Sequence, residues 1–145
     1  MKIPAGMSVY GNTKYRNKKC PKESLEQITF VNNIRVLYPE TYGRILVHAK
    51  NEGKLINGQF SEINKDRAMG MAIGCPDIFI PGLPSFCMEL KRADHTLSKI
   101  SDDQIEYLLA AKECGSFVCV ALGHEAAMEA FNYWIKLLTP VTDSF

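Results

Sequence analysis

Residues 74–91 read Gly74-Cys75-Pro76-Asp77-Ile78-Phe79-Ile80-Pro81-Gly82-Leu83-Pro84-Ser85-Phe86-Cys87-Met88-Glu89-Leu90-Lys91. Two short apolar runs, 77–80 and 86–90, flank a Pro- and Gly-rich turn, which predicts an antiparallel hairpin. The period of two along the second strand puts Cys87, Glu89 and Lys91 on one face and Phe86, Met88 and Leu90 on the other. A carboxylate and an ammonium therefore point together, and Asp77 opens the partner strand.

Outward from the hairpin the pattern is a mixed α/β domain. Ser101-Asp102-Asp103-Gln104 is a capping box that starts a helix ending at Gly115. Phe117–Ala121 is continuously apolar, as a strand buried on both faces is. A strand–helix–strand crossover makes it parallel to the Glu89 strand. A last helix runs from about His124 to Leu138, with Phe131, Trp134 and Tyr133 as core or dimer-face aromatics rather than a base-stacking platform. Upstream, Glu23–Tyr38 is an amphipathic helix stopped before Pro39, its stripe formed by Glu23, Gln27, Phe30, Val31 and Ile34. Ile45–His48 reads as a strand, Lys50–Gln59 as an exposed loop, and Ser61–Met69 as a short helix ended by Gly70. The expected core order is α-β-β-β-α-β, a mixed sheet flanked by helices.

The 145 residues are 46% hydrophobic and 23% charged, enough for one buried core and unlike a disordered or fibrous chain. No apolar run approaches the length that spans a bilayer, and the first residues lack a signal-peptide stretch, so a cytoplasmic location without a membrane is expected. Five cysteines without a C-x-x-C pair read as reduced thiols, not a disulfide framework or zinc ribbon. The net charge of +1 hides an asymmetry: residues 1–22 carry six basic and no acidic side chains, whereas residues 23–145 are net −5. A basic N-terminal arm (1–22) on a single acidic domain (23–145) suits a polyanion-binding protein with a carboxylate-rich centre, and suits a solvated leader equally. Lys14, Arg16, Lys18 and Lys19 in the arm, with Lys65, Arg67 and Arg92 in the body, are the candidate nucleic-acid contacts.

Asp77, Glu89 and Lys91 form P-D-x11-E-x-K. Hydrolysis of a phosphodiester calls for a divalent ion, and Mg²⁺ takes a few carboxylate oxygens while keeping several waters. Asp77 and Glu89 supply carboxylates, the Leu90 backbone carbonyl a neutral oxygen, and Lys91 a cation to orient water or offset phosphate charge. The competing structural reading is a cross-strand Glu/Lys pair beside a turn aspartate.

These motifs, with Leu97-Ser98, Gln104, Gly115 and the Val118–Val120 strand, resemble the G-x-P-D, E-x-K and Q motifs of the VRR-NUC domain, a branch of the PD-(D/E)xK nucleases. Glu23-Ser24-Leu25-Glu26-Gln27 ahead of Tyr38-Pro39 is similar to the family's E-S-x-x-Q helix, and His48-Ala49-Lys50-Asn51 to its H-x-x-N segment. A slightly long segment separates Lys91 from Gln104. The resemblance implies a restriction-endonuclease-like core and a Mg²⁺- or Mn²⁺-dependent deoxyribonuclease with Glu23, Asp77, Glu89, Lys91 and Gln104 in its active site and Glu23 joining the metal ligands. Glu26 stays open as the rival helix acid, and Gln104 could serve its capping box alone. The resemblance further implies a homodimer acting on branched DNA such as a four-way (Holliday) junction, in a host cytoplasm if phage-encoded. An inert DNA-binding module and a phage interaction protein are the alternatives.

Overall fold

The computed structural model describes residues 1–49 and 60–140, so the loop expected over Lys50–Gln59 lies outside the described residues. The elements are β1 (Val9–Tyr10), α1 (Glu23–Leu37), α2 (Tyr42–Ile45), α3 (Phe60–Ala68), β2 (Ile78–Ile80), β3 (Phe86–Lys91), a 3-10 turn (His95–Leu97), α4 (Asp102–Glu113), β4 (Phe117–Leu122) and α5 (His124–Leu137). The strands form one mixed sheet in the order β1-β4-β3-β2. The hairpin β2–β3 is antiparallel with Ile78 opposite Met88, and β4 lies parallel to β3 across the α4 crossover, as the sequence pattern requires.

The interior position of β3 explains its composition: every residue from Phe86 to Lys91 is buried. On one face α1 and α5 bring Phe30, Ile34, Phe131 and Trp134 onto Phe86, Met88 and Leu90. On the other, a thinner cluster of Met7, Cys87, Leu108, Val118, Val120 and Leu122 packs beneath α4 and the N-terminal segment. Glu89 and Lys91 belong to this second face, at the end where its apolar cover runs out.

Two elements differ from the sequence expectation. The strand expected over Ile45–His48 is the end of the α2 helical turn followed by a single antiparallel bridge, Val47 to Phe79. Tyr42 stacks edge-on against Trp134 and Phe131 with ring centroids 5.4 and 5.6 Å apart. That aromatic docking outweighs the β preference of Ile45-Leu46-Val47. The sheet gains its fourth strand inside the basic arm instead, where Val9 and Tyr10 pair parallel with Val120 and Ala121. Two residues leave no alternation to read, and the edge of β4 supplies the pairing.

The start of α5 locks the two sides of the molecule together. Gly123 has φ +89°, where a side chain would be strained, and its N–H donates to the Lys91 carbonyl over 2.9 Å. Buried Glu26 of α1 accepts a hydrogen bond from the His124 backbone N–H and from His124 Nδ1 at 2.7 Å, so an α1 carboxylate caps α5. Replacing Glu26 by Ala should cost about 1–3 kcal/mol, read as a Tm lowered by several degrees, whereas Glu23→Ala should change thermal stability by no more than about 0.5 kcal/mol.

Candidate active site

An open cleft of about 840 Å³ lies where α1, β2, β3 and the first turn of α4 meet. The register of β2 on β3 puts Asp77 opposite Glu89, and Asp77 Oδ2 accepts the Leu90 N–H over 2.9 Å. A residue in a strand turns its N–H and C=O to one edge, so the Leu90 carbonyl lies on the Asp77 side as well. Just upstream, Gly74 has φ +71°, and a Cβ there would sit 2.2 Å from the Asp103 carbonyl oxygen. Only glycine allows this approach, which presses the segment leading to Asp77 against the start of α4.

Gln104 closes the capping box and also reaches Glu89. Its Oε1 accepts the Ser101 N–H at 2.9 Å while Ser101 Oγ accepts the Gln104 N–H at 3.2 Å, closing the capping box. Its Nε2 donates to Glu89 Oε1 at 2.7 Å. The helix cap therefore aims the amide, and the amide fixes the carboxylate.

Glu89 is 1% exposed and Lys91 4%. Lys91 Nζ lies 3.1 Å from Glu89 Oε1 and 3.7 Å from Glu23 Oε1. Burial, and then the neighbouring Asp77 charge, push the Glu89 carboxyl up to about 8, although Lys91 pulls the other way. Burial alone would push the Lys91 ammonium down, but Glu89, Glu23 and Asp77 outweigh it and the net direction is up. The acidic neighbours thus hold the lysine charged, while burial disfavours the ionised form of Glu89.

Both α1 acids now have a place. Glu23 lines the cleft beside Lys91, and Glu26 is committed to α5 outside that cleft. The buried residues of α1 are Glu26, Phe30 and Ile34, while Glu23, Gln27 and Val31 of the expected stripe are only partly buried.

Asp77, Glu89 and the Leu90 carbonyl form a hard oxygen donor set. Glu89 Oε2 is fully buried with no hydrogen-bond partner, an orphaned acceptor that a cation would satisfy. Among the described residues no three His, Cys, Asp or Glu side chains are arranged to hold a metal ion. That combination fits an ion that keeps most of its waters better than one held in an all-protein cage.

The basic candidates divide by position. Lys14, Arg16, Lys18 and Lys19 are exposed in the arm, and Lys65 and Arg67 are exposed on α3; none of the six lines the cleft. Arg92 lines it, with its guanidinium donating to the Cys20 and Pro21 carbonyls. Cleft residues outside the expected set include Lys22, Lys99 and His48. His48 Nδ1 is 2.7 Å from the Asp77 carbonyl, which can only accept, so Nδ1 is the donor of that hydrogen bond. The motif resemblance includes His48 but attaches no role to it. Buried Asp94, which accepts from Asn17 and Thr96, also lies outside the expected set, although its Asp-x-Thr spacing is a turn-capping signal. None of the five cysteines is joined in a disulfide among the described residues.

No protein-family profile matches the sequence, and a search of curated proteins finds no match. A solved structure described as "VRR_NUC domain protein" is similar in fold, with a TM-score of 0.63 and 18% identity over 86% of this chain and 100% of that one. The mixed four-stranded sheet flanked by helices is thus a restriction-endonuclease-like fold of the VRR_NUC type. At this identity the likeness carries the fold alone. Among the described residues no helix is long and apolar enough to cross a membrane.

A carboxyl whose folded value is raised binds its proton more tightly in the folded chain. Its stabilising contribution is whole below the ordinary value of 4.5 and is lost as pH climbs toward about 8. In chelator, Tm should therefore fall across pH 5–8, with a Glu89 contribution of at most about 1.4 kcal/mol per pH unit. Glu89→Gln should flatten that slope; equal slopes for the two proteins would remove Glu89 as its source.

Proposed function

We infer that the chain is a divalent-metal-dependent endonuclease hydrolysing DNA phosphodiester bonds. The observation that carries this reading is the assembly of Asp77, Glu89 and Lys91 on one face of a hairpin, with Gln104 and Glu23 closing round them at an open cleft. A structural Glu/Lys pair would not need Asp77 aimed at the same point, an orphaned carboxylate oxygen, or a cleft of this size.

Asp77, Glu89 and the Leu90 carbonyl are the residues that would hold Mg²⁺ or Mn²⁺. Bound there, the cation supplies polarisation of the phosphate and a lowered pKa for the attacking water. Gln104 keeps Glu89 Oε1 turned toward Lys91 and so leaves Oε2 for the ligand role. The Lys91 ammonium, held charged by its carboxylate neighbours, orients the water and offsets charge developing on the phosphate oxygens. Glu23 steadies that ammonium from the α1 side.

Branched DNA as the preferred substrate, a homodimer that cuts paired strands and a cytoplasmic location belong to the same proposal. They are supported by the motif resemblance and the shared fold. The arm cations Lys14, Lys18 and Lys19 are its phosphate contacts, and the arm is not dispensable, because Met7 is in the core and β1 is in the sheet. An inert DNA-binding module would keep binding and lack every metal-dependent cut.

Labelled four-way junction, duplex, single-stranded DNA and RNA, each with chelator, Mg²⁺ or Mn²⁺, form the direct test. Asp77→Asn and Lys91→Ala should each slow cleavage by at least about 10²-fold while junction affinity stays within a few-fold. Cleavage by either variant at the wild-type rate would sink the assignment. Replacing Lys14, Lys18 and Lys19 by Gln should lower the slope of log K against log salt by about 0.9 for each phosphate no longer neutralised, with cleavage at saturating DNA unchanged.

A further inference from the structure

Arg92 follows Lys91 directly and lines the same cleft, yet its guanidinium is engaged by main-chain carbonyls. Its Nε donates to the Pro21 carbonyl over 3.1 Å and its Nη2 donates to the Cys20 carbonyl. A planar fork of two donors matches two consecutive carbonyls in a way a lysine ammonium cannot. The chain it grips is the lead-in to α1, where Lys22 is the N-cap and contributes no side-chain cap. An uncapped first turn frays, and Glu23 stands at its first position. On the other side, the Arg92 N–H donates to the buried Ser98 hydroxyl at 3.1 Å and the Lys91 carbonyl accepts from Gly123. Arg92 is thus rigidly placed, and the first turn of α1 borrows that rigidity.

The same loop holds the arm twice more. Asp94 accepts the Asn17 N–H at 2.9 Å, and His95 Nε2 lies 3.0 Å from the Thr13 carbonyl. Those contacts lie farther along the arm; the Arg92 contact ends one residue before the helix cap.

We propose that Arg92 is a positioning residue, which pins residues 20–21 and thereby holds Glu23 against the Lys91 ammonium, rather than a phosphate contact. This rests on the nuclease reading for its kinetic consequence but not for its geometry. Full-length Arg92→Gln and Arg92→Lys are compared with wild type and Glu23→Gln in two measurements. In the first, the NMR resonance of the Lys91 side-chain nitrogen should move in Arg92→Gln in the direction, and by about the amount, that it moves in Glu23→Gln. In the second, kcat on cleaved DNA should fall about 10- to 100-fold, with Kd and the salt slope unchanged. Arg92→Lys should not restore the rate, because one ammonium cannot serve both carbonyls in the fork.

A salt slope lowered by about 0.9 in Arg92→Gln and restored in Arg92→Lys would make Arg92 a phosphate contact and overturn the proposal. So would a wild-type Lys91 resonance and kcat with only the Tm lowered, which is the signature of a plain structural tether. Should Arg92→Gln fail to fold, Arg92→Lys carries both comparisons. If the wild-type chain cuts no DNA with any divalent ion, the nuclease reading falls, and the Lys91 resonance still decides the role of Arg92.

Discussion

The Glu89 carboxylate, 1% exposed on an interior strand, is the constraint around which the molecule is arranged. A charge taken out of water is costly unless it is paired and hydrogen-bonded. Lys91 provides the opposite charge and Gln104 a donor, but both reach the same oxygen, Oε1. Oε2 is left without a partner, and Asp77 faces the pair from β2, so burial and the Asp77 charge together push the Glu89 carboxyl up. A buried carboxylate supported on one oxygen and open on the other forgoes stability that a full set of partners would supply.

The support reaches outward in layers. Gln104 is aimed by the Ser101 cap, and the cap sits where the Asp103 carbonyl meets Gly74, which precedes Asp77. Lys91 is fixed at its backbone by Gly123 and at its ammonium by Glu23, while Glu26, one turn along the same helix, caps α5. The two acids of one helix do different work because α5 arrives at one of them and the cleft opens at the other. The arm completes the arrangement: its strand closes the sheet against β4, and His95, Asp94 and Arg92 hold Thr13, Asn17 and the Cys20-Pro21 pair against the body. Its cations are thereby presented on a fixed segment rather than on a loose leader.

Much of this is legible without a fold, and the reasons differ by element. The β2–β3 hairpin, the α4 crossover, β4 and α5 each carry a local signal, whether a turn, a capping box or an unbroken apolar run, and local signals survive folding. The α2 turn ends in Ile45-Leu46-Val47, which is β-prone and reads as a strand, and nothing local announces that Tyr42 will dock on Trp134. Strand β1 escapes a sequence reading because two residues carry no period. Within the site, Asp77, Glu89 and Lys91 follow from strand alternation, and Gln104 from the cap that opens its helix. Sequence alone does not separate Glu23 from Glu26, since both lie near the core-facing side of one helix.

The sequence by itself determined the chemistry available: which strand face carries Glu89 and Lys91, which helix opens with Gln104, and that six cations precede an acidic body. Periodicity and capping are properties of neighbouring residues, so they can be read without a fold. Only the tertiary structure decided which α1 acid meets Lys91, that Arg92 spends its guanidinium on the Cys20 and Pro21 carbonyls, and that the arm lends the sheet a strand. Each of those depends on partners far apart in the chain, 71 residues for Arg92 and Pro21, or on the exposed edge of another strand, and no local pattern encodes such a meeting.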